Sequence, residues 1–501
     1  MKLLNLTGIA CMVVLLVGCI STAEKREEDL SHRKIETVHT PQWPFNRPVK
    51  QELSHSGKKV FAHYFPQFPV SIDNKPSDRD YYQRGYLAAD GERNKHLKYG
   101  GFLRQRPLPR PVRTGDDWRL QDMREEVRLA SDAGLDGFAF DILGVGDSSH
   151  WKRLLVLLEA AKLEEPDFRI MLMPDMMAVY RRSPEKLVPS ILSLADHPSL
   201  FRLGDGRLVI SPYMASNMPP EWWQEQLDAF KAAGVDVALV PVFQAWWKYA
   251  DDYSKVSHGF ADWGAGTADE IGSRNRSTSP VLAHKYGKIW FAPVRPQDSR
   301  PKSFLGFEAH NTRIWRSMWD VALKGNAEWV QLITWNDYSE ASEIAPSTGT
   351  QYLFYDLTAY YTTWFKLGMP PVVERDALYY CYRRQATDLL ASKQAKPFQI
   401  KGKRPYNEIE LIAMLREPGK ISIAIGDSIT YREGQTGLNV FRVPLKPGIP
   451  IFSLERDGQM ILSVKGKWSV VTEADYQNLL YHGGGGTVER MRMTQESILS
   501  P

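Results

Sequence analysis

Cysteine is nearly absent. The 501 residues hold three, Cys11, Cys19 and Cys381, which excludes a fold stapled by intramolecular disulfides. Cys381 lies among Tyr379, Tyr380 and Tyr382 and reads as a small buried hydrophobe. An excess of one charge is also missing. Lys and Arg number 63 against 59 Asp and Glu, a net charge of +4, so no nucleic-acid footprint is expected. Long apolar runs are missing too. The longest, residues 9–17, is too short for a confident membrane span. The glycine run at 483–486 follows no strand–loop–helix phosphate pattern and reads as flexible linker.

The first residues look like an export signal. Lys2 gives a positive start, residues 9–17 an apolar centre, and Leu16-Val17-Gly18-Cys19 a small residue before cysteine. This block resembles the lipobox of bacterial lipoproteins. The resemblance implies cleavage after residue 18, lipid on Cys19 and anchoring in a bacterial cell envelope, with no other membrane attachment. Residues 19–57 are polar and proline-dotted, and read as a tether ordered only near its end.

From residue 58 to about 395 a pattern repeats. Short strand-like runs alternate with stretches of helical spacing, as in residues 116–133, where Leu120, Met123, Val127 and Ala130 recur three or four apart. Eight strand candidates are separated mostly by such helices. That is the signature of a (β/α)8 barrel, set against a doubly wound open sheet. Polar or aromatic groups recur at the carboxyl ends of the strands: His63 and Tyr64, Asp141, Asp175, Gln244 with Trp246, Asp262, Arg295 and Asp337. In a barrel that end carries the catalytic groups. A long polar insertion, residues 71–113, forms the first strand-to-helix loop, and loops of that size are commonly functional.

The last strand candidate carries the strongest signal. Trp329, Val330, Leu332 and Ile333 end abruptly in Trp335-Asn336-Asp337-Tyr338-Ser339-Glu340, with Glu343 close behind. Three acids beside aromatic rings at a buried strand end are unfavourable unless something uses them. Asp337 and Glu340 are three residues apart, so one turn of loop can aim both into one cavity. Paired carboxylates are what glycosidic bond cleavage needs, and 15 Trp supply rings for sugars as well as core.

After residue 396 the texture changes to short strands parted by turns, which predicts a small β-sandwich over 396–482 and a flexible tail over 483–501. Residues 377–393 read as a final helix. Gly426-Asp427-Ser428-Ile429-Thr430 imitates the nucleophile block of the SGNH esterases. Too little chain follows it, and no D-x-x-H, so that reading is set aside.

Val60 to Tyr64, the Asp136-Gly137-Phe138-Ala139 strand and Trp335-Asn336-Asp337-Tyr338-x-Glu340 together resemble glycoside hydrolase family 71, the α-1,3-glucanases or mutanases. The resemblance extends to Gly437-x-x-x-Phe441-x-Val443-x-x-x-x-Gly448. It implies a (β/α)8 barrel followed by a C-terminal β-sandwich, no metal or cofactor, and inverting endo-hydrolysis of α-1,3-glucan by Asp337 and Glu340. His63, Tyr64, Asp141, Asp175, Gln244, Trp246, Asp262, Trp335, Asn336, Tyr338 and Glu343 are then expected to bind or stack the sugars. Ser339 stands where the family has Gly, and Ala341-Ser342-Glu343 where it has Ser-His-Tyr. The endo-α-mannosidases, with a comparable Trp-Asn-Glu-x-x-Glu strand end, are the rival enzyme class. A glycan-binding surface lipoprotein without turnover is the rival outside enzymes.

Overall fold

Eight short parallel strands close on themselves. In the computed structural model, which describes residues 43–492, they are β1 Lys59–Tyr64, β2 Gly137–Ile142, β3 Arg169–Pro174, β4 Leu208–Ile210, β5 Val237–Leu239 continuing as Val242–Phe243, β6 Gly259–Asp262, β7 Ile289–Val294 and β8 Trp329–Leu332. β1 pairs with both β2 and β8. The ladder runs from β2 through β3 and β4 to β5, and from β8 through β7 and β6 back to β5. The ring shuts at β5. Val240 N–H and Val242 N–H donate to Ile210 and Pro212 at 2.9 Å, while Pro241 O accepts from Ala261 N–H at 3.1 Å. Pro241 has no N–H to give, which splits β5 in two without opening the barrel.

Alternation along each strand sorts the side chains. Phe61, Ala139, Met171, Val209 and Phe291 fill the barrel interior. Their neighbours Val60, Ala62, Phe138, Leu172 and Val330 face outward toward helices such as Trp118–Asp132, Ser149–Glu164 and Arg313–Lys324. Each fully buried Phe or Leu here contributes roughly 1.5–3 kcal/mol. The same parity carries past the strand ends and fixes which residue can reach the mouth.

Two four-stranded antiparallel sheets follow the barrel. One has the order β13 Gly437–Pro444, β10 Glu408–Leu415, β9 Ala377–Arg383, β16 Tyr481–Gly486. The other has the order β12 Ser428–Gly434, β11 Gly419–Ile425, β14 Ile451–Arg456, β15 Gln459–Lys465. Three expectations change. Residues 377–383 form strand β9, not a helix. All seven are buried, with Leu378, Tyr380 and Tyr382 facing the sandwich core and Ala377, Tyr379 and Cys381 the barrel side. Burial on both faces erases the alternation that marks a strand. The sandwich therefore starts before residue 396. Residues 483–486 are not linker but the buried strand β16, paired with β9. A Cβ on Gly485 would stand 2.1 Å from the Leu378 carbonyl, and one on Gly484 would stand 2.2 Å from Gln351 Oε1. Only glycine allows that approach. Residues 43–57, assigned to the tether, pack on the barrel through Phe45 and Leu53. The signal segment, Cys19, the tether up to residue 42 and residues 493–501 lie outside the described residues.

Candidate active site

The carboxyl ends of the strands form one polar mouth. β8 delivers Asp337 and Glu340. Asp337 Oδ1 accepts from Ser339 N–H at 2.9 Å, Ser339 Oγ–H at 2.7 Å and Glu340 N–H at 3.2 Å. Oδ1 thus carries all the side-chain hydrogen bonds of this carboxylate, and the group is held in one orientation. Burial pushes Asp337 above the usual carboxylate range, against those hydrogen bonds and the Arg300 charge. Glu340 is pushed up to about 8, by burial first and then by Asp298 and Asp337, with Arg300 and Arg295 opposing. Its two oxygens each stand 3.0 Å from an Arg300 nitrogen.

β1 and β2 add a second pair. His63 Nε2 lies 3.7 Å from Asp141 Oδ2, and both side chains are buried. Burial alone drops His63 to about 3, which leaves a neutral imidazole. Burial raises Asp141 well above its ordinary value, helped by Asp175 and Asp337. His63 Nδ1 and Asp141 Oδ1 have no partner within the protein, so each has hydrogen-bonding capacity to spare for a hydroxyl. Asp175 on the next strand is raised by burial, with Met177 N–H donating to it at 2.6 Å. Tyr213 and Trp263 close that side. The Trp263 ring stands edge-on to His63 at 4.9 Å and to Tyr213 at 4.6 Å. Gln244 is exposed beside Tyr213.

Not every residue expected here reaches the mouth. Tyr64 follows inward-facing His63 and therefore points outward, its O–H donating to Glu126 at 2.6 Å. Trp335 is fully buried against Phe138 in the outer layer. Trp246 is buried between Phe260 and Trp290, with its indole N–H on Ser279 Oγ. Neither ring can stack on a sugar. Asp262 is spent on Trp246 N–H, Gly264 N–H and Arg276. Asn336 zips β8 to the chain after β1, bonding Phe65 N–H at 2.8 Å and the Phe65 and Phe68 carbonyls at 3.0 Å. Tyr338 is buried with Phe68 and with Tyr82 and Leu103 of the 71–113 region. Glu343 is buried on Gln105 Nε2 at 2.9 Å and raised by burial to about 7. These last two anchor the long first loop to the Asp337–Glu340 turn. Tyr213, Trp263, Asp298 and Arg300 were not singled out as site residues from the sequence. The signal for the last two was the charge pattern Arg295-x-x-Asp298-x-Arg300 directly after β7.

The profile described as Glycosyl hydrolase family 71 matches residues 112–482. The chain is similar to the glucan endo-1,3-alpha-glucosidase agn1 of Schizosaccharomyces pombe, 23% identical over 396 residues that cover 73% of this chain and 91% of that protein. It is similar to the mutanase Pc12g07500 of Penicillium rubens, 24% identical over 405 residues, covering 74% and 85%. A solved GH99 endo-alpha-mannosidase from Bacteroides thetaiotaomicron is similar at TM-score 0.47 and 14% identity, covering 62% of this chain and 98% of that one. The profile spans the barrel from its first long helix and most of the sandwich, and includes the Asp337–Glu340 turn; this chain belongs to glycosyl hydrolase family 71 and is a glycoside hydrolase.

Proposed function

We propose that this glycosidase hydrolyses α-1,3-glucan with inversion, Glu340 acting as general acid and Asp337 as general base. The observation that carries the roles is the contrast within one turn. Glu340 is raised to about 8 and so holds a proton at neutral pH. Asp337 is raised by burial too, but three hydrogen bonds from Ser339 and the Glu340 backbone oppose that rise and favour its ionised form. The name of the S. pombe relative, a glucan endo-1,3-alpha-glucosidase, supports the linkage.

In this mechanism the bond from the anomeric carbon to the glycosidic oxygen breaks, and its electron pair stays on that oxygen. The oxygen takes the Glu340 proton. A water attacks the anomeric carbon from the opposite face and gives its proton to Asp337. Inversion requires room for that water between the carboxyl groups. His63 and Asp141, with unused polar atoms at the mouth, and Asp175 bind hydroxyls, and Trp263 presents a ring to a sugar face. The test is digestion of α-1,3-glucan, α-mannan and dextran by the purified chain, with the product anomer read by proton NMR. New reducing ends of inverted configuration from α-1,3-glucan alone are expected. Release from α-mannan instead overturns the linkage. Binding without release overturns turnover.

We also propose that Cys19 carries lipid and tethers the enzyme to a bacterial cell envelope. The Leu16-Val17-Gly18-Cys19 block supports this. Among the described residues no helix is long and apolar enough to cross a membrane. Cys19→Ser should move the protein out of the membrane fraction; unchanged fractionation sinks the idea.

A further inference from the structure

The loop after β7 places three charges around the general acid. The buried Asp298 accepts from Arg300 twice, Nε to Oδ1 at 2.7 Å and Nη2 to Oδ2 at 2.6 Å, and from Arg295 Nη1 at 3.1 Å. Arg300 turns its terminal edge to Glu340, with both nitrogens at 3.0 Å. A guanidinium is a rigid planar fork with five donors, so it can hold two carboxylates in fixed mutual geometry. An ammonium cannot.

The fork is held from outside the barrel. Asp298–Arg300 pairs antiparallel with Leu305–Phe307, which pairs in turn with Gln399–Lys401. Gln297 exchanges two hydrogen bonds with the backbone of Tyr481 on β16, Nε2 to the carbonyl at 3.1 Å and Tyr481 N–H to Oε1 at 2.8 Å. Ser299 N–H donates to the Glu340 carbonyl at 2.7 Å. The sandwich domain is therefore tied to the general acid through consecutive residues of one loop.

We propose that Arg300 is a positioning residue that orients the Glu340 carboxyl and sets the pH at which it loses its proton, and that the C-terminal domain holds Arg300 in place through Gln297 and Asp298. This rests on the reading of Glu340 as general acid. The groups acting on Glu340 are Asp337 from its own turn, Asp298, Arg300 and Arg295 from the β7 loop, and Tyr213 beyond β4; Asp141 and Asp175 stand near Tyr213 across the mouth. Burial, Asp298 and Asp337 push Glu340 up, and the two arginines push it down. Substitutions at Arg300 and Asp298 therefore act in opposite directions.

The experiment measures kcat/KM against pH on α-1,3-glucan oligosaccharides for the full chain and its variants, with thermal melts alongside. R300Q should move the basic limb up and D298N should move it down, each by about one pH unit, the scale of a charge at contact distance. R300Q should also cut kcat on glucan while sparing an α-glucosyl fluoride, whose departure needs little acid help. A purely structural role gives neither opposite shifts nor that split. Superimposed profiles, or shifts in the same direction, overturn the proposal. Should R300Q melt below assay temperature, R300K carries the test. It keeps the charge and loses the fork, so kcat on glucan should fall with the limb in place; unchanged kcat overturns the positioning role. E340Q separates the two readings. An inactive E340Q beside unshifted profiles sinks the Arg300 proposal alone, whereas a fully active E340Q sinks the acid assignment beneath it.

Discussion

Glu308 at the seam between barrel and sandwich and Glu340 at the barrel mouth each face an arginine, yet they respond in opposite senses. Glu308 has Arg383 at 2.8 Å, and His310 N–H and the Tyr481 hydroxyl also donate to it. Arg383 leads the groups that hold it below the usual carboxylate range against burial. Glu340 shares its arginine with Asp298, has Asp337 beside it, and is pushed up to about 8. Other seam acids also meet arginines, Glu410 with Arg442 and Arg316 and Asp356 with Arg490, although burial still raises Asp356. At the mouth Asp141, Asp175 and Asp337 are all raised. A cation at contact distance with further donors can outweigh burial, as at Glu308; where acids share one arginine or have none, burial wins, and such raised groups crowd the mouth.

The sharpest break of this contrast is at the mouth. Asp337→Asn and Glu340→Gln should each lower kcat on glucan by roughly 10²–10⁴-fold, the usual contribution of an acid or base, with melting temperatures near wild type because volume and much hydrogen bonding remain. E340Q should retain more activity on an activated fluoride than D337N does. Near-full activity of both variants would place the chemistry elsewhere on the rim, with Asp141 and Asp175 next to test.

At the seam the pattern should invert. Glu308→Gln strands Arg383 without its countercharge, and breaking such a buried pair costs about 3–5 kcal/mol. Denaturant midpoints should fall while kcat per folded molecule stays. A destabilisation under 1 kcal/mol would mean that the seam charges are bystanders.

The seam and the helix layer behind β1 should also answer pH with opposite sign. Glu308 has a depressed folded pKa, so its contribution is present above the unfolded value and is lost as pH falls through the folded one. Glu126, buried behind β1 on Tyr64, is raised by burial to about 8. Its contribution is full below the unfolded value and is lost as pH rises toward 8. Between pH 5 and 9 wild-type stability should therefore drop more than that of Glu126→Gln; parallel curves would refute the assignment.

Smaller still is Tyr64→Phe. It removes one buried hydrogen bond to Glu126, a cost of roughly 1–3 kcal/mol in stability, with kcat/KM unchanged. His63→Ala, one residue earlier, should reduce kcat/KM. Equal kinetic effects at both positions would contradict their opposite facings. The least effect belongs to Ser428→Ala. Ser428 follows the two-residue turn of an antiparallel hairpin, where Ile425 pairs with Ser428, and its loss should leave hydrolysis untouched.

Legibility followed burial. The barrel strands and their order could be read because each is an apolar run ending in a polar group, and because helices with clear 3–4 spacing separate them. Asp337 and Glu340 could be read because acids at a buried strand end have few structural excuses. The two aromatic platforms Trp335 and Trp246 were misjudged, since a tryptophan suits a sugar or a core equally well and only facing tells them apart. For Tyr64 the facing was available: alternation from Phe61 through His63 already sends Tyr64 to the helix layer. Strand β9 was hidden because both its faces are covered. The glycines of β16 were hidden because what demands them, the Leu378 carbonyl and the Gln351 side chain, lies more than a hundred residues away in sequence.

The amino-acid order by itself determined the (β/α)8 alternation, the mouth at the strand ends and the Asp337–Glu340 pair, since each depends on neighbours within a few residues. Only the tertiary structure decided which partners those acids meet. Arg300 reaches Glu340 across 40 residues, and Tyr481 reaches Gln297 across 184. Contacts of that span depend on how the ring closes and how the sandwich seats on it, because electrostatic and hydrogen-bond energies follow distance in space and carry no trace in local periodicity.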